Sequence, residues 1–73
     1  MTYAAKAIGP TQALLAGDTS AIATVRGHGQ WLRKRPDDLS AQAGDLLLES
    51  IARDADDRTE TLQHALDLLT MAR

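Results

Sequence analysis

Residues 37–73 have an apolar periodicity that predicts long helices. They hold eight of the eleven leucines, no proline and one glycine, Gly44. Apolar residues recur there at three- and four-residue intervals, the spacing of one face of an α-helix. Over 37–55 two stripes cover about half of the helix surface, more than the single stripe typical of a surface helix. We therefore expect a central helix with a neighbour on each of two sides, where small residues allow close approach: Ala41, Gly44 and Ala52.

The acidic run at 54–57 favours a break in this second half. Acidic residues are unfavourable at a helix C-terminus and favourable at an N-terminus. Asp57, followed by Glu60 three residues later, resembles a capping box, and a new helix over 58–72 would follow it. No glycine or proline marks the break, so one helix of about 35 residues stays open as the alternative. Its support is a seven-residue spacing through Ala41, Leu48, Ala55, Leu62 and Leu69.

Glycine and proline divide the first half into shorter pieces. Gly9-Pro10 predicts one helical piece over 3–8, capped by Thr2, and another over 10–16 that Gly17 ends. Asp18-Thr19-Ser20 predicts the start of a longer helix, 18–35, whose last turn would hold the basic triplet at 33–35. Gly27-His28-Gly29 predicts a continuous or kinked helix with a close neighbour, and a break is the alternative.

Composition places the chain in the all-α class. Thirteen alanines and eleven leucines favour helix, and valine and isoleucine occur only four times in all. Pro36 can open the next helix, with Asp37 and Asp38 in its first turn. We expect a single domain, 1–73, forming a small helical bundle of about three main helices (18–35, 37–55 and 58–72) with short N-terminal helical pieces.

The leucine-rich half predicts self-association. A chain of 73 residues is at the size where one core is only marginally stable, and oligomerisation is one common remedy. The two-sided apolar surface of 39–55 adds to this expectation. We therefore predict a homodimer packed through residues 37–72. The residues expected to form its interface are Leu47, Leu48, Ile51, Leu62, Leu66 and Leu69.

Charge is unevenly distributed along the chain. Residues 1–36 carry five bases and one acid, a net charge of +4, whereas residues 37–73 carry three bases and nine acids, a net charge of −6. Solvated helix faces with some pairing explain most of this pattern. A basic patch for an acidic partner, or an acidic surface for a basic one, is the functional alternative.

No motif for catalysis or metal binding stands out. His28 and His64 have no second ligand or base at a usable spacing, and the chain has no cysteine. The acidic run at 54–57 lacks the glycine and glutamate of a calcium loop. We therefore expect no enzyme, no metal and no cofactor. Because no apolar run is long enough to span a bilayer, we expect a soluble cytoplasmic protein.

Trp31 and the neighbouring bases are the candidate contact with another molecule. Trp31 suits either the core of a dimer or an exposed anchor, since tryptophan is enriched among interface hot spots. We expect Trp31, Arg33 and Arg35 to bind a protein partner. The predicted function is a small non-enzymatic protein-protein interaction module, an adaptor or an inhibitor that occludes a surface of a larger protein.

Two alternatives remain beside this prediction. The Arg26–Arg35 segment could bind nucleic acid, because clustered basic side chains can contact phosphates and a neighbouring aromatic ring can stack on a nucleobase. The acidic half argues against a polyanion there. The chain could also be a structural subunit of a larger assembly. A second candidate surface is the acidic set Asp54, Asp56, Asp57 and Glu60.

Overall fold

The computed structural model describes residues 3–73, which form four α-helices and one 3-10 turn. The helices are α1 (Tyr3–Leu15), α2 (Ile22–Leu32), α3 (Asp38–Ala52) and α4 (Ala55–Ala72), and the turn, Thr19–Ala21, precedes α2. Each helix packs on the next, and α4 also packs on α1, so the four helices close around one core. The predicted all-α bundle is confirmed. The helix count is four rather than about three.

The extra helix arises at the N-terminus, where the prediction of two short pieces was wrong. α1 is a continuous helix of 13 residues that runs through Gly9 and Pro10. A proline inside a helix costs about 3 kcal/mol. One buried stripe crosses the Gly9-Pro10 step, and its packing offsets that cost. The stripe is Ala4, Ala7, Thr11 and Leu14. The predicted cap, Thr2, lies outside the described residues.

Gly17 ends α1, as predicted. Its φ of +98° is the left-handed conformation that glycine adopts at low cost. The N–H of Gly17 donates to the carbonyl of Leu14, and the N–H of Asp18 donates to that of Ala13, each at 3.0 Å. This pair of hydrogen bonds is a Schellman motif. Asp18 then caps the 3-10 turn by accepting from the N–H of Ser20 at 3.1 Å.

α2 is continuous through Gly27-His28-Gly29, in agreement with the favoured interpretation. Gly29 faces α3, and a Cβ at that position would lie 3.0 Å from Cγ of Leu48 and 3.2 Å from the carbonyl oxygen of Gly44. The helix ends at Leu32, however, so the basic triplet follows it. The prediction that 33–35 form the last turn of the helix was therefore wrong by one turn.

α3 is the central helix of the leucine-rich half and packs on both α2 and α4, as predicted. Its N-cap is Asp37, which accepts from the N–H of Ser40 at 3.0 Å. Hydrogen bonding from Ser40 lowers the pKa of the Asp37 carboxyl. Pro36 consequently precedes the helix and does not open it. Of the three small residues expected at close contacts, Gly44 meets α2, whereas Ala52 is exposed and Ala41 is half-buried.

The predicted break between α3 and α4 is confirmed. Arg53 and Asp54 are extended, with ψ angles of 162° and 154°. Asp54 is the N-cap position, so α4 begins at Ala55 rather than at residue 58, and Asp57 lies inside its first turn. Arg58 reaches back across the break, donating from Nε to the carbonyl of Ser50 at 3.0 Å and from Nη2 to that of Arg53 at 3.2 Å.

Among residues 3–73, no helix has the length and apolar content needed to cross a membrane.

Candidate functional site

Three rings from α1 and α2 form a cluster on the surface of the bundle. The Tyr3 and Trp31 rings are tilted by 40° with centroids 5.5 Å apart. The Tyr3 and His28 rings meet edge to face, with centroids 5.3 Å apart. The Tyr3 hydroxyl is 3.1 Å from Nδ1 of His28, a hydrogen-bond distance. Tyr3 therefore contacts both α2 side chains and holds them at the start of α1.

Helical spacing explains why His28 and Trp31 lie together. They are three residues apart on α2, which places them on one flank of the helix. Tyr3 comes from the first turn of α1, which packs against α2. The contact of Tyr3 with α2 could not be predicted from the sequence. With a short helix expected to end at Gly9, the continuous buried stripe of α1 was not recognised. The sequence carried no signal that Tyr3 belongs to the site.

Trp31 is held in place but remains open to solvent. It is 51% exposed, and Met71 is the only other large hydrophobic residue among 3–73 described as exposed. The interpretation of Trp31 as an exposed anchor is consistent with this position. The other interpretation, a core role in a dimer, would need a second copy to cover the ring.

Lys6 brings positive charge to the ring cluster, and two further basic residues follow Trp31 in the chain. Lys6 lies one helical turn after Tyr3 on α1, and Lys34 and Arg35 follow Trp31 in the turn after α2. Burial, together with the positive charge of Lys6, lowers the pKa of His28. Both effects favour the neutral imidazole. We call Tyr3, Lys6, His28 and Trp31 the aromatic–basic face.

The structure does not bring the three predicted partner-binding residues onto one surface. Trp31 lies toward α1, where it contacts Tyr3. Arg33 lies toward α3, where its Nε is 3.5 Å from Oδ1 of Asp45. Two residues of helix correspond to about 200° of rotation, so Trp31 and Arg33 point to different sides. Arg35 is exposed in the turn, and its charge also acts on the Asp37 carboxyl.

Half of the residues expected to form a dimer interface lie in the core of a single molecule. Leu47, Leu62 and Leu69 are almost completely buried by the four helices. The remaining three are half-buried: Leu48, Ile51 and Leu66. The four helices of a single molecule therefore cover much of the apolar surface on which the prediction of a dimer was based. The homodimer itself stays a prediction.

The acidic candidate surface lies beside a cleft between α3 and α4. Asp57, Glu60 and His64 line this cleft from α4, opposite Glu49 of α3 and Arg53 of the break that follows it. Arg53 forms an ion pair with Glu49, and hydrogen bonding to that carboxylate raises the pKa of the guanidinium. Among residues 3–73 no group of three or more His, Cys, Asp or Glu side chains is arranged to hold a metal ion.

Comparison with known proteins found no matching family model, and neither a curated protein nor a solved structure matches this chain. The candidate site offers one half-exposed indole ring, two rings packed beside it and the positive charge of Lys6.

Proposed function

We propose that this chain is a non-enzymatic protein-protein interaction module whose aromatic–basic face docks on an acidic segment of a larger protein. In that role it would act as an adaptor, or as an inhibitor that occludes the segment. The observation that carries the proposal is the position of Trp31, half exposed and fixed against Tyr3. This module would need no chemistry of its own, only an ordered surface.

The contact between the Trp31 and Tyr3 rings favours binding. A large ring buries much apolar area when a partner covers it, and tryptophan is enriched among residues that dominate interface energies. Fixing a side chain before binding lowers the entropy lost on association. Tyr3 provides this fixing, because it contacts the Trp31 ring from a separate helix.

Charge indicates the chemistry of the partner. Lys6 carries positive charge beside the rings, and Lys34 and Arg35 follow Trp31 by three and four residues in the chain, whereas nine of the ten acids lie in residues 37–73. Complementary charge speeds association and selects against partners of the same sign. A segment with carboxylates around an apolar residue would complement both the ring and the bases.

The test uses a fluorescein-labelled synthetic peptide rich in Asp, Glu and Leu, with binding followed by anisotropy. We expect Trp31→Ala to weaken binding by at least about tenfold, as for an interface hot spot. Arg35→Gln should weaken it by a smaller factor, and Arg33→Gln should leave it nearly unchanged because Arg33 faces α3. Circular dichroism checks that each variant keeps its helical content.

A basic peptide of equal length is the control for nonspecific adhesion. Absence of binding to the acidic peptide would contradict the proposed partner class. Equal binding by the wild-type protein and Trp31→Ala would show that the contact lies elsewhere on the surface.

Nucleic-acid binding is a second candidate function, favoured by the same exposed Trp31 ring and the basic residues that follow it. Aromatic side chains stack on single-stranded bases, and lysine and arginine contact the phosphates. Binding of a labelled single-stranded oligonucleotide at low salt, with affinity falling steeply as salt rises, would support this function. No binding at low salt would end it.

Self-association is a separate proposal and would now use the half-buried Leu48, Ile51 and Leu66. Sedimentation at micromolar concentration tests it, and a strict monomer would contradict it. Native mass measurement of the complex isolated from the cells that make this protein would distinguish a structural subunit of a larger assembly from both a monomer and a homodimer.

A further inference from the structure

We infer that protonation of His28 strengthens the docking of an acidic segment on the aromatic–basic face, so that binding tightens as the pH falls below neutral. The inference rests on the proposed function and adds a form of regulation to it. It follows from the place of His28 within the ring cluster, beside Trp31 and in contact with Tyr3.

The geometry gives His28 a defined partner on one side of its ring. Nδ1 is 3.1 Å from the Tyr3 hydroxyl, so a protonated ring donates from Nδ1 to the hydroxyl oxygen. The second N–H, at Nε2, is then left for a carboxylate of the docked segment. In the neutral ring one nitrogen carries no proton, and the ring offers no net charge to a carboxylate.

Among residues 3–73, the charged and titratable groups around His28 do not supply a carboxylate. α1 contributes the Tyr3 hydroxyl and the Lys6 ammonium, whose positive charge opposes protonation. α3 packs on a different side of α2, at Gly29, and its Asp45 is paired with Arg33.

Asp18 precedes the 3-10 turn at the other end of α2, and its carboxylate accepts a hydrogen bond from the Ser20 hydroxyl. A docked acidic segment would therefore bring the first carboxylate to His28.

Linkage fixes the sign of the effect. In the free protein, burial and Lys6 lower the pKa of His28 and so favour the neutral ring. A nearby carboxylate favours the charged form and raises that pKa in the complex. Because coupling is reciprocal, the proton must then raise the affinity for the segment by the same factor. One unit of difference between the two pKa values corresponds to a tenfold change in affinity.

The experiment measures binding of the labelled acidic peptide at about pH 7.5 and about pH 5.5, a range in which histidine changes charge and the peptide carboxylates remain mostly ionised. We expect wild-type affinity to rise by about threefold to tenfold on acidification. His28→Gln should remove the increase, and the matched control His64→Gln should keep it.

A second readout is the pKa of His28, followed by NMR from its imidazole C–H signals in the free and the peptide-bound protein. We expect the bound value to be the higher one, by the amount that the affinity ratio requires. Lys6→Gln should raise the pKa in the free protein, because it removes a like charge beside the ring.

The outcomes separate this inference from the proposed function. Binding that needs Trp31 but does not change between the two pH values would overturn the inference and leave the proposed function standing. An equal or lower pKa of His28 in the complex would overturn it as well. No peptide binding at either pH would overturn both.

Discussion

The two sides of α2 meet the rest of the protein in opposite ways. Toward α3, Gly29 and Gly44 bring two backbones together, and a Cβ at Gly44 would lie 2.8 Å from the carbonyl oxygen of Gly29. Toward α1, the large rings of His28 and Trp31 stay partly open to solvent and meet Tyr3. The first side has no room for another atom, whereas the second can still gain contacts. One helix thus serves stability on the side toward α3 and, in the proposed function, binding on the side toward α1.

The strongest way to break the close-packed side is Gly44→Ala. The added Cβ would lie 2.5 Å from the backbone nitrogen of Arg33 and 2.9 Å from Cβ of Leu32, so α2 and α3 must move apart. We expect a loss of at least about 3 kcal/mol in the free energy of unfolding, measured by urea denaturation, at the upper end of overpacking effects.

Gly27→Ala is the matched control for that change. Gly27 is exposed on α2, and among residues 3–73 no atom beyond its chain neighbours and the backbone of its own helix would lie within 4 Å of a Cβ there. Alanine has the better helix propensity, so we expect stabilisation of up to about 1 kcal/mol. Equal effects of the two substitutions would contradict the assignment of the α2–α3 contact to Gly44.

Two neighbouring residues sharpen the contrast between core and open face. Leu32 is fully buried, and Leu32→Ala should lower the free energy of unfolding by about 3 kcal/mol. Trp31→Ala, one residue earlier, should lower it by only about 1 kcal/mol, through loss of the contact with Tyr3. Thermal denaturation of both variants checks this order, and a larger loss for Trp31→Ala would place Trp31 in the core.

Arg58→Ala tests the connection between α3 and α4, away from both sides of α2. It removes two hydrogen bonds to the carbonyls of Ser50 and Arg53, and we expect a loss of about 1 kcal/mol in urea denaturation. Arg53→Ala removes only an exposed ion pair with Glu49, so little change is expected. Equal losses would show that the Arg58 hydrogen bonds do not stabilise the break.

The smallest expected effect is a pH dependence of stability from His28. Its pKa in the folded protein is lowered by burial and by Lys6, so the unfolded chain binds the proton more strongly. Stability is therefore complete above about pH 6.5, the unfolded value, and falls as the pH drops through the folded pKa. His28→Gln should reduce the fall in Tm over this range, whereas His64→Gln should not.

Local signals in the sequence predicted many of the helix boundaries. Gly17 at the end of α1 and the acids near residue 54 act on the backbone within a few residues. Asp18 caps a 3-10 turn, so α2 begins at Ile22 rather than at residue 18 as predicted. The error at Gly9-Pro10 had a different origin. There a local signal for a break was outweighed by packing of the stripe that contains Ala7 and Thr11.

The candidate site could be predicted only in part. Trp31 was identified from residue type, because a lone tryptophan near bases is a reasonable anchor. Arg33 was grouped with it from sequence proximity, and the helix turns it toward Asp45 instead. Tyr3 and Lys6 were missed because they lie about 25 residues away along the chain and reach the site only through the packing of α1 on α2.

The sequence by itself determined the helical class, the break near residue 54 and the charge difference between the two halves, because these follow from residue type and short-range spacing. Tertiary structure decided the continuity of α1, the burial of Leu47, Leu62 and Leu69, and the neighbours of Trp31. Each of these depends on which helix faces which, and that is set by the simultaneous packing of four helices around one core.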